Sequence, residues 1–250
     1  MAFTATEEMV QDLKRDGFTV VRSAFDEATV SKLEQELERL SHVLTAKRDI
    51  HFVGPNKDVL SSLHNMHEHS EFWCDLVRGS GLIDLVRMCY GTVDPKVFNG
   101  SFFAKPARYG LATAAHQDNA YNYIKGGEIL TLWIAVDNAN PENGGLYYYP
   151  GSHNLGDVDH LPEGNLGASM AVTKPMIEQL NLGEPVMLDL KRGDCVIHNA
   201  LVIHGSEDNL SERERRGCNF SIASQAEWDK EAFARYEKKL AAFLDAKKSH

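Results

Sequence analysis

His116-Gln-Asp118 sets an imidazole and a carboxylate two residues apart. In a strand, residues i and i+2 point to the same side, so both groups could reach one metal ion while Gln117 faces away. A third ligand has to come from elsewhere. His204 is the best candidate, because it ends the strand-like run Cys195–Ile203 and precedes Gly205-Ser206. Two imidazoles and one carboxylate on one face leave three coordination positions open. That donor set is the usual holder of Fe(II) in oxygenases, where O₂ and a co-substrate need those positions. A structural zinc site would close its coordination, usually with cysteine. Taken alone, H-x-D also fits a strand end with two ordinary polar residues, and a single strand histidine also fits a hydrogen-bonded core position.

These residues need a rigid frame. Glu7–Arg15 reads as a short polar helix stopped by Asp16-Gly17, and Phe18–Arg22 as a strand. Asp26 can cap a helix running to about Leu44, with Val30, Leu33, Leu37 and Leu40 on one face. A further helix is expected from Phe72 to Tyr90. After about residue 97 the pattern changes to short segments rich in β-branched and aromatic residues: Val97–Ala104, Glu128–Val136, Gly145–Tyr149, Pro185–Leu190, Asp194–Ile203 and Cys218–Ser224. Turn chemistry separates them, as at Asn140-Pro-Glu-Asn-Gly144 and Lys191-Arg-Gly-Asp194. Many short strands without intervening long helices predict a barrel or jelly roll. A last helix from about Glu227, with Phe233, Tyr236, Leu240 and Phe243 as its apolar stripe, is expected to cover the outside of a sheet. The chain of 250 residues has neither repeats nor a linker, which suggests a single domain. Its parts would be a helical region to about 95, a β core of about 96–225 and a C-terminal helix of about 226–247.

The net charge of -10 argues against nucleic acid or an anionic membrane as partner. It suits a neutral or cationic small-molecule substrate. Cys74, Cys89, Cys195 and Cys218 form no C-x-x-C pair, so no zinc knuckle or redox motif is written here. Scattered cysteines, a charged N-terminus and the lack of a membrane-length apolar run lead to the expectation of a cytoplasmic protein.

Several segments, in order, resemble the phytanoyl-CoA dioxygenase-like (PhyH) family of Fe(II)/2-oxoglutarate oxygenases. They are Asp16–Phe25, Phe103-Ala-Lys-Pro-Ala107, His116-Gln-Asp118, Thr131–Asp137, Glu142–His153, Gly193-Asp194 and His204–Asn209, followed by Arg215. The resemblance implies a mainly β fold with flanking helices, a double-stranded β-helix (jelly roll, cupin-like). It implies iron on His116, Asp118 and His204, with 2-oxoglutarate and O₂ as co-substrates. The far carboxylate of 2-oxoglutarate would pair with Arg215, and Trp133 and Ser206 would line its pocket. A buried carboxylate needs a paired cation, and a guanidinium matches it bidentately. Strand alternation sends Arg215 and Arg216 to opposite faces; the family spacing selects Arg215 over Arg213 and Arg216. Because Asp118 keeps its carboxylate where halogenating relatives have a small residue, the implied reaction is C–H oxidation: hydroxylation, or desaturation, epimerisation or ring closure.

Asn119 and Tyr121 follow the metal motif directly and are candidate substrate contacts. His64-Asn-Met-His-Glu-His69 lacks H-E-x-x-H spacing and reads as a surface or pocket-rim loop, or as a substrate contact from the helical region. His153 reads as a turn residue. Two other classes stay open: a cupin-type dioxygenase or isomerase that does not use 2-oxoglutarate, and a non-catalytic binding protein on the same barrel.

Overall fold

The computed structural model describes every residue except 1, 55, 57, 93, 163–169, 225–227 and 249–250, with side chains left out for 243–248. The β elements are β1 (Phe18–Val21), β2 (Ile50–Val53), β3 (Val59–Leu63), β4 (Lys96–Lys105), β5 (Thr113–His116), β6 (Ile129–Ala135), β7 (Leu146–Tyr148), β8 (Leu161–Pro162), β9 (Met170–Ala171), β10 (Val186–Met187), β11 (Cys195–Asn199), β12 (His204–Ser206) and β13 (Arg215–Ala223). Seven strands form one antiparallel sheet in the order β1-β11-β6-β13-β4-β3-β2. Four form the facing sheet, β10-β7-β12-β5. This is a mainly β jelly roll with flanking helices, as the sequence predicts. β8 and β9 make a small separate ribbon.

Alternation along the strands gives the larger sheet two different faces. Leu130, Leu132, Ile134, Cys195, Ile197, Cys218, Phe220 and Ile222 point outward and meet the N-terminal helices. Those helices are α1 (Glu7–Arg15) and α2 (Glu27–Val43). Thr6 caps α1 by accepting from Met9 N, and Asp26 caps α2 by accepting from Thr29 N at 2.8 Å. Helix α2 buries the apolar face that the spacing predicts, Val30, Leu33, Leu37 and Leu40, and α1 buries Val10 and Leu13. On the inner face Trp133, Ala135 and Val196 pack against Leu146 and Tyr148 of the small sheet, and Phe18 stacks on Tyr148 at 4.5 Å.

The structure departs from the sequence reading at several places. After the short helix α3 (Met66–His69), the helix expected over Phe72–Tyr90 is two: α4 (Glu71–Arg78) and α5 (Leu82–Tyr90). Gly79-Ser-Gly81 breaks it. Gly81 has φ +72°, and a Cβ there would lie 2.4 Å from the carbonyl oxygen of Phe3. The N-terminal region is not only helical, because β1, β2 and β3 extend the large sheet at both edges. The run from Asp194 to Ile203 is not one strand. Asn199 accepts from Leu201 N at 2.7 Å and turns the chain. β11 therefore ends in the large sheet and β12 begins in the small one, with His204 as its first residue.

The remaining α-helices among the described residues are α6 (Asn119–Asn122), α7 (Lys174–Leu180) and α8 (Lys230–Lys248). Nothing in the sequence reading anticipated α7. Helix α8 contacts β8 of the small ribbon, and its Phe233 and Tyr236 pack on Tyr123, just after the metal motif, with centroids at 5.4 and 5.7 Å. The side chain of Phe243 falls outside the described residues.

Gly81→Ala should lower the unfolding free energy by about 2–3 kcal/mol, since it adds both positive-φ strain and a backbone clash. Gly79→Ala, whose added Cβ meets its nearest atom at 3.3 Å, should cost about 1 kcal/mol or less. Urea denaturation of the two variants tests the ordering.

Candidate metal centre and anion pocket

β12 pairs with β5 so that His204 is the direct partner of His116. The ring centroids are 4.4 Å apart. Asp118 lies beyond the end of β5, in the helical region (φ −58°, ψ −31°), as N-cap of α6. Its carboxylate reaches back to the histidines through this turn, not through the strand alternation inferred from sequence. Asp118 Oδ1 stands 3.5 Å from His116 Nε2 and 3.6 Å from His204 Nε2. One ligand atom from each of the three residues lies within 4.8 Å of the others.

Each histidine is oriented by the backbone two residues before it. His116 Nδ1 donates to Ala114 O at 2.8 Å, and His204 Nδ1 to Val202 O at 3.1 Å. Both Nε2 lone pairs are thereby turned toward Asp118. Burial, reinforced by the neighbouring His116, holds His204 well below the usual imidazole range, so it is a neutral donor.

Asp118 is held by residues that the sequence reading missed. Oδ2 accepts from His198 Nε2 at 3.0 Å and from Thr131 Oγ1 at 2.8 Å. His198 Nδ1 in turn accepts from the Tyr148 hydroxyl at 3.0 Å, and Thr131 shares a 3.1 Å hydrogen bond with Ser221. Burial pushes the Asp118 carboxyl up, but the neighbouring His116, the hydrogen bond from His198 and the nearby His204 outweigh it and keep it well below the ordinary range. With Oδ2 used twice, Oδ1 is the oxygen left to face a cation. One carboxylate oxygen and two imidazole nitrogens fit a divalent transition metal and leave room for other ligands. One signal could have found His198: it follows the apolar run Cys-Val-Ile within the same strand.

A second constellation lies along the same inner face. Arg215 and Lys105 are direct partners across β13 and β4, and both are buried. Like charges placed opposite each other in a sheet repel. Arg215 Nε and Nη2 donate to Gly144 O at 3.2 and 3.1 Å, and its guanidinium lies 5.5 Å from the centroid of Trp133. Lys105 Nζ donates to the carbonyls of Ser206 and Glu207. Among the described residues, neither cation has a carboxylate within ion-pair distance. Burial pulls the Arg215 guanidinium down to about 10. Burial first, and then Arg215, pull the Lys105 ammonium down to about 6. Arg216 faces the other way, bound to Asp137 and Glu34, and Arg213 pairs with Glu142 on the surface. Trp133 lies flat against the strand because residue 217 is glycine; a Cβ there would meet the ring at 2.1 Å. Ser206 is buried two residues past His204. Lys105 is the member of this group that the sequence reading did not assign.

The other candidates are placed as follows. Tyr121 sets its ring edge on His116 at 5.6 Å, and its hydroxyl donates to Met170 O at 3.2 Å. Asn119 uses both ends of its carboxamide on the protein: Nδ2 donates to Asp157 Oδ1 at 2.8 Å and Oδ1 accepts from Ile124 N at 3.0 Å. It anchors the turn after the motif. The 64–69 histidines divide: His64 bonds Ser62 and Ser101, while His69 faces Asp49. His153 bonds Lys14 O. Its neighbour Ser152 accepts from Ile203 N at 2.8 Å and so braces the residue before His204.

A jelly roll carrying two histidines and an aspartate at one point is a metalloprotein architecture of the cupin type. The family model for phytanoyl-CoA dioxygenase (PhyH) matches residues 13–217, and the chain belongs to that family, whose members are Fe(II)/2-oxoglutarate-dependent oxygenases. It is 30% identical over 179 residues to phytanoyl-CoA dioxygenase domain-containing protein 1 of Rattus norvegicus, covering 70% of this chain and 60% of the relative. The Bos taurus protein of that name is 32% identical over 181 residues, with the same coverage. The chain thus spans about 60% of the length of these relatives. The fold is shared with EctD from S. alaskensis, crystallised with 2-oxoglutarate and 5-hydroxyectoine (TM-score 0.71, 19% identity, 88% of this chain and 76% of that one). It is also shared with the epimerase SnoN of nogalamycin biosynthesis, crystallised with Fe3+ and α-ketoglutarate (TM-score 0.68, 21% identity, 87% and 82%).

His198→Leu removes a hydrogen bond to Asp118 and should weaken divalent-metal binding about ten- to a hundredfold. Calorimetric titration of the metal-free variant with Co(II) checks this.

Proposed function

We propose that the protein is an Fe(II)- and 2-oxoglutarate-dependent oxygenase that oxidises a C–H bond of a small-molecule metabolite. His116, Asp118 and His204 would hold the iron. When bound, the metal supplies the oxidising chemistry that couples conversion of 2-oxoglutarate and O₂ into succinate and CO₂ to insertion of one oxygen atom into the C–H bond. The protein's own residues orient the two substrates and exclude water.

The observation that carries the co-substrate is the buried Arg215–Lys105 pair. Among the described residues neither group has a carboxylate within ion-pair distance; a positive charge held there out of water is costly, and a bound dianion favours the charged form of both. 2-Oxoglutarate presents a carboxylate at each end. In this reading one end faces the metal and the other meets the Arg215 fork, with Lys105 beside it and Trp133 and Ser206 lining the space between. Tyr121, with its ring against His116, is the substrate contact this reading favours, and Asn119 serves by fixing the turn. No helix among the described residues is long and apolar enough to cross a membrane. The four cysteines are unpaired thiols, which agrees with a cytoplasmic setting.

Arg215→Ala should raise KM for 2-oxoglutarate by about a hundredfold, the loss of one or two charged hydrogen bonds. Succinate release measured against 2-oxoglutarate concentration tests this; unchanged KM would remove the co-substrate assignment. The pH dependence follows from Lys105. Its pKa of about 6 in the free protein leaves it mostly neutral at pH 7, and a bound dianion raises that value. Binding therefore takes up a proton, and affinity falls as pH climbs from about 6 toward the bound-state pKa. Calorimetry in buffers of different ionisation enthalpy should register this uptake, and Lys105→Met should abolish it.

A further inference from the structure

Gln117, the residue between the two ligands of the H-x-D motif, is 1% exposed. The chain leaves the β5 ladder at this point, since His116 is the last strand residue and Asp118 is already helical. The Gln117 backbone N–H therefore needs a partner away from the sheet, and a buried N–H left unpaired is costly. Its acceptor is an imidazole: Gln117 N donates to His160 Nε2 at 2.9 Å. The other ring nitrogen, Nδ1, donates to Val158 O at 2.9 Å, which fixes the tautomer that leaves Nε2 as an acceptor.

The same segment grips the Gln117 side chain. Nε2 of Gln117 donates to Gly156 O at 2.8 Å and to Leu201 O at 2.6 Å, while Oε1 accepts from Val158 N at 2.9 Å. Leu201 lies in the turn that leads to His204. One residue thus ties the strand end carrying His116, the helical turn carrying Asp118 and the corner preceding His204. His160 is 4% exposed. Burial pulls its pKa down to about 4, so the ring remains a neutral acceptor across the physiological range. Behind it, Lys239 of α8 donates to Asp159 Oδ1 at 2.8 Å and to His160 O at 3.4 Å.

We propose that His160 is a positioning residue of the metal centre: by accepting the Gln117 N–H it sets the turn that aims His116 and Asp118 at one point. The His160 ring hydrogen-bonds Gln117 N and Val158 O and none of the three ligands, so its hold on the motif runs through Gln117. The proposal rests on the reading of His116, Asp118 and His204 as metal ligands.

The test uses the full-length protein in metal-free form, titrated with Co(II). Calorimetry reads affinity, and the visible absorption of bound Co(II) reads ligand geometry. His160→Phe keeps the ring volume and removes the acceptor. It should bind Co(II) about tenfold or more weakly, with an altered spectrum, while its melting temperature stays within a few degrees of wild type. His160→Gln returns an acceptor near the position of Nε2 and should recover most of the affinity and the wild-type spectrum. Should His160→Phe not fold, His160→Leu, which removes bulk instead of keeping it, is read in the same way. Wild-type affinity and spectrum in the variant without an acceptor overturn the proposal. So do equal losses in the Gln and Phe variants that track a shared fall in melting temperature, because they would mean packing alone. Absence of Co(II) binding by the wild-type protein overturns the metal centre, and the proposal with it. If binding by the wild type is lost in His204→Ala but kept in His160→Phe, only the positioning role fails.

Discussion

Asp118 Oδ2 accepts two hydrogen bonds, from His198 and Thr131, and much of the inner face is arranged around that fact. The two donors come from adjacent strands of the large sheet, where they are direct register partners. They fix the carboxylate relative to the sheet, while the two ligand histidines belong to the facing sheet. The centre thus forms only where the two layers of the jelly roll meet. With Oδ2 tied to the protein, a metal held at this point would meet Asp118 through Oδ1 alone, which would leave coordination positions open for oxygen chemistry.

The frame explains why the layers stay in register. The helix-facing side of the large sheet is apolar and sealed by α1, α2, α4 and α5. The inner side is divided. Toward β1 and β11 it packs against the small sheet through Phe18, Trp133, Tyr148 and Val196. Along β13 it carries polar groups, from Arg215 to Ser221. Tyr148 joins the two regions: it stacks on Phe18 and on His204, and its hydroxyl reaches His198. An apolar core residue thereby also orients a polar network, as buried tyrosines commonly do when their hydroxyl finds a partner.

The anion pocket shows how electrostatics and topology combine. A buried Lys–Arg pair facing across two strands would be a folding liability by itself. Carbonyl oxygens of Gly144, Ser206 and Glu207 compensate in part, and the depressed pKa values of both cations register what is left. In the proposed reading such a site would trade stability of the empty protein for affinity toward a dianion.

Much of this could be read from the chain alone. Most strand segments after residue 97, the cap at Asp26, the jelly-roll class, and the grouping of His116 and Asp118 with His204 follow from local patterns and from motif order, because residue type and periodicity are local properties. The opposite facing of Arg215 and Arg216 was legible for the same reason. Four things depended on tertiary structure. The helix break at Gly81 reflects contact with Phe3, nearly eighty positions away in the chain. The corner at Asn199 that moves the chain between sheets depends on which layer each segment joins. The partners of Asp118, namely His198 and Thr131, are set by strand register, which single-strand patterns do not encode. The link from Gln117 to His160 spans 43 positions and has no sequence periodicity. The sequence by itself determined which side chains could do chemistry; the packing of two sheets decided which of them are held at the angle and protonation state that the chemistry needs.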